Sequence, residues 1–143
     1  MPTTQPSLNL ESLYRPLWLT YGLVPLLAGL DKFFNLLTDW PKYLSPWVAN
    51  LLPVSAQTFM YAVGVIEILV GLMVLTRWTR LGAWIATAWL TLIAVNLVTL
   101  GLFDIAVRDL AMAVGASTLA RLAELRQESP AAVREPALHA SRV

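Results

Sequence analysis

Four apolar runs, each long enough to cross a lipid bilayer, occupy most of this chain and limit its fold more than any other feature. They span residues 16–37, 57–76, 78–101 and 104–125. A transmembrane helix needs about 20 mostly apolar residues, and each run meets that length. With 57% hydrophobic and 13% charged residues, the chain lacks the polar surface of a small soluble domain. The sequence therefore predicts an all-α, integral membrane protein.

Short connections between the runs predict how they are arranged. The segments TRWTR at 76–80 and GLFD at 101–104 are tight enough to make neighbouring helices antiparallel, and a four-helix bundle is the simplest fold that results. We expect a short N-terminal segment at 1–15, the membrane domain at 16–126 and a flexible tail at 127–143. The tail is rich in Pro, Ala and charged residues, which disfavours a packed structure.

The basic residues predict the orientation in the membrane. If the runs alternate across the bilayer, seven of the ten basic residues fall on one side: Arg15, Arg77, Arg80, Arg121, Arg126, Arg134 and Arg142. By the positive-inside rule this side is cytoplasmic, so we expect both termini there. No cleavable signal peptide is evident at the N-terminus. The expected location is the cytoplasmic membrane of a bacterium or an archaeon.

The one long connection, residues 38–57, falls on the opposite side. Its aromatic residues, which suit the headgroup interface, are Trp40, Tyr43 and Trp47. Pro46 and Pro53 bracket the segment WVANLL, which we expect to form a short interfacial helix that begins near Pro46. The loop is interpreted either as an anchor at the outer surface or as a lid over an opening between the helices.

A single carboxylate, Glu67, lies within the apolar segment GVIEILVG. An ionised side chain at the centre of a membrane helix costs about 2.5–3.5 kcal/mol on the insertion scale, so it needs a compensating environment. Gly64 and Gly71 share its helix face, and small residues allow another helix to approach closely. Glu67 is therefore expected to face the interior of the bundle. The first run has a matching face with Gly22, Gly29 and Lys32.

Further polar residues lie in the same half of the membrane. Asn96 is in the third run, and Arg108 and Asp109 are in the fourth. Because opposite charges within a membrane should pair, we expect Glu67 to form a hydrogen-bonded cluster with Lys32 and Arg108. Candidate cofactor-binding residues are Lys32, Glu67, Asn96, Arg108 and Asp109, with no catalytic residue assigned.

These motifs resemble the DoxX family of small four-helix membrane proteins, which includes DoxD-type subunits. The family pattern has an Arg opening the first span, spaced glycines and a closing Gly-x-x-Lys, then a Gly-x-x-Glu and finally an Arg-Asp. The matching residues are Arg15, Gly22, Gly29, Lys32, Gly64, Glu67, Arg108 and Asp109. The resemblance covers about residues 13–125. It leaves out the long outer loop and the C-terminal tail, for which a partner specific to this protein is a hypothesis.

The resemblance implies a link to membrane quinone chemistry, as in thiosulfate:quinone oxidoreductase, or to detoxification and oxidative-stress complexes. A bound isoprenoid quinone is the expected cofactor, with Trp89 or Phe33 as walls for its tail. The expected partners are lipid and either other membrane subunits or further copies of the chain. If the protein is an oxidoreductase subunit, we do not expect it to be catalytic alone.

Composition excludes several other chemistries. The absence of Cys rules out a thiol relay and an iron–sulfur cluster held by this chain. The single His, His139, lies in the tail, so a bis-His haem within the membrane cannot be built, and no metal site is expected. A net charge of +1 argues against nucleic acid.

Two alternative functions stay open. In the first alternative to the quinone-linked role, the chain is a structural or assembly subunit of a respiratory or photosynthetic membrane complex. In the second, which is less favoured, it is a small-solute permease. In the first alternative, the polar cluster locks the helices in register and the outer loop and the tail are docking surfaces. The permease is less favoured because the four short spans show no broken inverted repeats.

Overall fold

The computed structural model describes the backbone of residues 10–140 and the side chains of residues 10–127. All regular structure in this part of the chain is helical, as predicted. The α-helices are α1 (Leu10–Asp31), α2 (Pro46–Leu51), α3 (Ala56–Leu75), α4 (Thr79–Thr99) and α5 (Phe103–Ala140), and a 3₁₀ helix, η1, covers Trp40–Tyr43. The long helices α1, α3, α4 and α5 pack against one another.

Two of these helices, α3 and α4, are long and apolar enough to cross a membrane. They match the predicted runs at 57–76 and 78–101 to within about two residues. Within the described residues, α1 and α5 are not apolar enough to meet the same criterion of length, hydropathy and charge. Polar and proline residues lower the mean hydropathy of α1, and the N-terminal half of α5 carries three charged residues, Asp104, Arg108 and Asp109.

The first helix differs from its predicted run at both ends. It begins at Leu10 and ends at Asp31, whereas the prediction placed the span at 16–37. The helix ends early because the Asp31 carboxylate accepts hydrogen bonds from the backbone N–H groups of Leu36 and Leu37, both 3.0 Å long. These bonds fold residues 32–37 into a turn in which Asn35 adopts a positive φ of 52°.

The long connection contains the predicted short helix. Helix α2 begins at Pro46, and the Ser45 hydroxyl caps it by accepting a hydrogen bond from the Trp47 N–H. Proline is favoured at the first position of a helix because its missing N–H needs no partner there. The 3₁₀ helix η1 was not predicted. Leu44, which follows η1, packs against Met60 and Val63 of α3.

Small residues line the contacts between the long helices. The buried face of α5 carries Ala106, Ala113, Ala116, Ala120 and Ala123, and the buried residues of α4 include Gly82, Ala83, Ala86 and Ala94. Such residues let helix backbones approach closely, which favours van der Waals contact where no hydrophobic force acts between helices.

The C-terminal segment at 127–140, predicted to be a flexible tail, has helical backbone as the continuation of α5 to Ala140. Its flexibility stays a prediction. His139 falls in this segment and its side chain lies outside the described residues.

Candidate functional site

Tight packing of α1 on α3 is the structural origin of the site. A Cβ atom on Gly29 would lie 2.6 Å from the backbone oxygen of Gly64, and a Cβ on Gly64 would lie equally close to that of Gly29. About two helical turns away, a Cβ atom on Gly71 would lie 2.6 Å from the backbone oxygen of Gly22. Only glycine permits this approach, so the spacing of glycines in the sequence determines how the two helices meet.

The close contact brings two opposite charges together. Lys32 follows Gly29 by three residues and Glu67 follows Gly64 by three, so each lies one turn from the contact point. The Lys32 ammonium donates a hydrogen bond to Glu67 Oε2 over 2.5 Å. The two residues are 3% and 7% exposed. This pair is the predicted core of the polar cluster, and it compensates both charges in a region away from water.

A cavity of about 490 Å³ lies beside this ion pair. Its wall is mostly apolar and aromatic and is formed by the loop between α1 and α3, by α3, α4 and α5, and by Lys32, the residue that follows α1. The charged and amide side chains that reach it are Lys32, Glu67, Asn96 and Asp109. Its size falls within the range of about 300–1,000 Å³ that is typical of small-molecule sites.

Trp40 of η1 lies over the ion pair. The Lys32 Nζ is 3.7 Å from the centre of the Trp40 ring, a cation–π contact that is strongest where water is excluded. The Trp40 Nε1–H donates a 2.8 Å hydrogen bond to Asp31 Oδ2. Asp31 thus orders the turn after α1 and also holds an aromatic ring at the cavity. Neither role of Asp31 was predicted from the sequence. An Asp at the end of a predicted helix, shortly before an aromatic loop, could have indicated both.

Asn96 of α4 fixes the loop from the other side. Its Oδ1 accepts a 3.1 Å hydrogen bond from the Ser45 N–H, and its Nδ2 donates a 2.6 Å bond to the Tyr43 backbone oxygen. Both ends of the amide therefore bind backbone of the loop. Asn96 also lines the cavity. Because both ends of its amide are bonded to the loop, we infer that it holds the loop over the cavity and does not bind a ligand.

Arg108 does not join the cluster, and its predicted place there is wrong. Its side chain is exposed, it is not part of the cavity wall, and no salt bridge involves it among the described residues. Consecutive residues on a helix point about 100° apart, so only one of Arg108 and Asp109 can face inward. The alanines at 106, 113 and 116 share a face with Asp109, and this stripe was the signal that selected Asp109.

Trp89 contributes a polar atom to the aromatic wall. Its Nε1 is buried and makes no hydrogen bond of good geometry within the described structure, although the Glu67 carboxylate lies near enough to accept a weak one. Phe33, the other predicted wall residue, does not line the cavity. Its ring stacks on Tyr61 with centroids 5.3 Å apart. Trp89 is thus a wall residue, and Phe33 is not.

Among the side chains that the structure describes, no group of three or more His, Cys, Asp or Glu is placed to hold a metal ion. The arrangement instead suits a neutral, flat, mostly apolar molecule with hydrogen-bond acceptors, because the wall is mostly apolar and aromatic and includes the Trp89 N–H donor.

The model of the DoxX family matches residues 17–100 of this chain. The chain belongs to the DoxX family. The DoxX match covers most of α1, the outer loop, α3 and α4, and so includes Lys32, Glu67, Trp89 and Asn96. Asp109 lies beyond it. No curated protein and no solved structure matches the chain. Membership in the DoxX family, together with the apolar helices α3 and α4, indicates a membrane protein.

Proposed function

We propose that this DoxX-family protein is an integral membrane subunit that binds the headgroup of an isoprenoid quinone and serves quinone-linked electron transfer. The observation that carries the proposal is the mostly apolar, aromatic cavity beside the Lys32–Glu67 pair, with the buried Trp89 N–H in its wall making no hydrogen bond of good geometry. A buried donor without a partner costs about 1–3 kcal/mol. A quinone carbonyl that accepts a hydrogen bond from this group removes that cost.

The proposal includes a membrane arrangement. We place α1, α3, α4 and α5 across the bilayer as a four-helix bundle with both termini cytoplasmic. The length of α3 and α4 supports this arrangement, as do Arg77 in the α3–α4 turn and Arg80 in the first turn of α4. The cavity then lies in the outer half of the cytoplasmic membrane, below the loop that carries η1 and α2.

The shape of the cavity supports a ligand with a lipid tail. Leu92 lines the cavity and is also 62% exposed. It lies near the middle of the outer half of α4, at a depth where exposed surface faces lipid in the proposed arrangement. An isoprenoid tail can leave the cavity past Leu92 while the headgroup stays between Trp89 and the Lys32–Glu67 pair.

Electrons must come from another subunit in this proposal. The chain has no Cys and therefore cannot itself hold an iron–sulfur cluster. We propose that the partner is a membrane-associated oxidoreductase subunit with its own redox cofactor, and that this chain supplies the quinone site.

The test is a direct measurement of bound quinone. Purified protein in lipid nanodiscs is titrated with a short-tailed benzoquinone or naphthoquinone, and bound quinone is extracted and quantified, with empty nanodiscs as the blank. We expect about one quinone per protein and a weaker affinity in Trp89→Phe, by about 2- to 12-fold for one lost hydrogen bond. Trp84→Phe is the matched control, since the Trp84 Nε1–H bonds Glu124 on the opposite half of the bundle.

A second function, a non-catalytic subunit of a larger membrane complex, is favoured by a different feature. Helix α2 exposes Trp47 and Leu51, at 70% and 67%, on the loop that covers the cavity. Gentle purification from native membranes distinguishes the two. Stable co-purification of larger membrane proteins that Trp47→Ser abolishes, with no bound quinone, supports the structural role and contradicts the quinone proposal.

A further inference from the structure

Asp109 is the acid in the cavity that no other group neutralises. It lies on the buried face of α5, is 8% exposed and lines the cavity. It makes no hydrogen bond or ion pair with any side chain that the structure describes. Its neighbour Arg108, the nearest cation in the sequence, is exposed on the surface of the protein.

Every other charged group at the cavity is already paired. Lys32, the residue that follows α1, has its ammonium held by the Glu67 carboxylate of α3 and by the Trp40 ring. Helix α4 contributes Asn96 and Trp89, which are uncharged, and the loop contributes the Tyr43 phenol. The negative charge of Glu67 also acts on Asp109. An ionised Asp109 would add a second negative charge opposite a single, occupied cation.

We propose that Asp109 carries a proton in the folded protein and presents its O–H to the ligand as a hydrogen-bond donor, while Glu67 is locked by Lys32. An uncompensated charge in a medium of low dielectric constant is far more costly than a neutral carboxylic acid. With Asp109 neutral, the three ionisable side chains Lys32, Glu67 and Asp109 have no net charge. The quinone part of this inference rests on the proposed function, whereas the protonation of Asp109 does not.

The protonation of Asp109 determines the class of ligand. A neutral cavity with two donors, the Asp109 O–H and the Trp89 N–H, selects a neutral molecule with carbonyl acceptors. An ionised Asp109 surrounded by aromatic rings would instead select an organic cation, because carboxylates and aromatic faces both attract positive charge. In this inference Glu67 joins α1 to α3 through Lys32, and Asp109 donates to the ligand.

Infrared spectroscopy tests the proton without any ligand. The C=O stretch of a protonated carboxylic acid is separate from that of a carboxylate and shifts in D₂O. At pH 7 we expect this band in the wild-type protein and in Arg108→Gln, the exposed neighbour, and its loss in Asp109→Asn, which preserves the shape of the side chain. No such band in the wild type, or a band that survives in Asp109→Asn, overturns the inference.

Ligand binding tests the selectivity. We expect Asp109→Ala to weaken binding of a short-tailed quinone by about 2- to 12-fold, and Asp109→Asn, which retains a donor, to bind it nearly as well as the wild type. Tetraphenylphosphonium, a lipophilic cation, should bind to the wild type no better than it binds to Asp109→Asn. Cation binding that depends on Asp109 overturns the inference. If the wild type shows the infrared band but binds no quinone, the proposed function fails and the protonation of Asp109 stands.

Discussion

The Lys32 Nζ and the Glu67 Oε2 are 2.5 Å apart in the interior of the protein, although the two residues lie 35 positions apart in the chain. Their helices reach that position because Gly29 and Gly64 are in backbone contact one turn away. The ion pair, the Trp40 ring above it and the cavity beside it form one structural unit.

Breaking the ion pair from one side should be more harmful than removing it. In Lys32→Met, the Glu67 carboxylate is left buried without its cation, and we expect a loss of about 3–5 kcal/mol in the free energy of unfolding. The double variant Lys32→Met/Glu67→Leu should recover most of this loss, because no buried charge remains. Reversible unfolding in mixed detergent micelles measures both. Single variants as stable as the wild type contradict the prediction.

The contact between α1 and α3 should not tolerate a methyl group. Gly64→Ala places a Cβ at 2.6 Å from the Gly29 backbone oxygen, so the helices must move apart. We expect a loss of about 1–3 kcal/mol, which is typical of overpacking. The control is Ala62→Val, an exposed position on the same helix. Equal stabilities for the two variants, in the same unfolding experiment, would show that the helices do not meet at these glycines.

Removing the Asn96 amide should loosen the outer loop. Asn96→Ala deletes the hydrogen bonds to the Ser45 N–H and the Tyr43 oxygen, and each unpaired buried group costs about 1–3 kcal/mol. Hydrogen exchange measured by mass spectrometry should show faster exchange in residues 40–52. Asn50→Ala, on the exposed side of α2, is the control and should leave exchange unchanged. The prediction is wrong if both variants behave alike.

A larger side chain at the edge of the cavity should obstruct the ligand's tail. We expect Leu92→Trp to weaken binding of a long-tailed quinone more than that of a tailless one, because the tail must pass position 92 in the proposed site. Leu69→Trp, at a 55% exposed position of α3 that does not line the cavity, is the control. Quinone extraction from nanodiscs gives both affinities. An equal effect on the two quinones places the tail elsewhere.

Much of the site was accessible from the sequence. The glycine spacing in the first and second runs predicted which faces meet, and the Lys32–Glu67 pair followed from it. The short helix after Pro46 followed from the proline preference for the first helical position. These features were predictable because each is encoded by a pattern of residues within a single helix or turn, and the two charges of the pair lie one turn after matching glycines in their own runs.

The remaining features depend on packing between distant segments. Whether Arg108 or Asp109 faces inward depends on how α5 rotates against α4, and the pair of adjacent charges alone is ambiguous. Asn96 was identified as a polar residue of the interior, but its partners are backbone groups of Tyr43 and Ser45, which carry no signature in the sequence. The early end of α1 is a local feature, but it too depends on backbone partners, since the Asp31 carboxylate accepts hydrogen bonds from the Leu36 and Leu37 N–H groups.

Photolabelling with an azido-quinone tests the central claim, that the cavity binds a quinone headgroup, most directly. The protein in nanodiscs is irradiated with the probe, and mass spectrometry of its peptides locates the label. We expect a label on cavity residues of α3 and α4 near Met60 and Trp89, and we expect excess unlabelled quinone to reduce it. A label spread over the lipid-facing residues, or one that unlabelled quinone does not reduce, would contradict that claim.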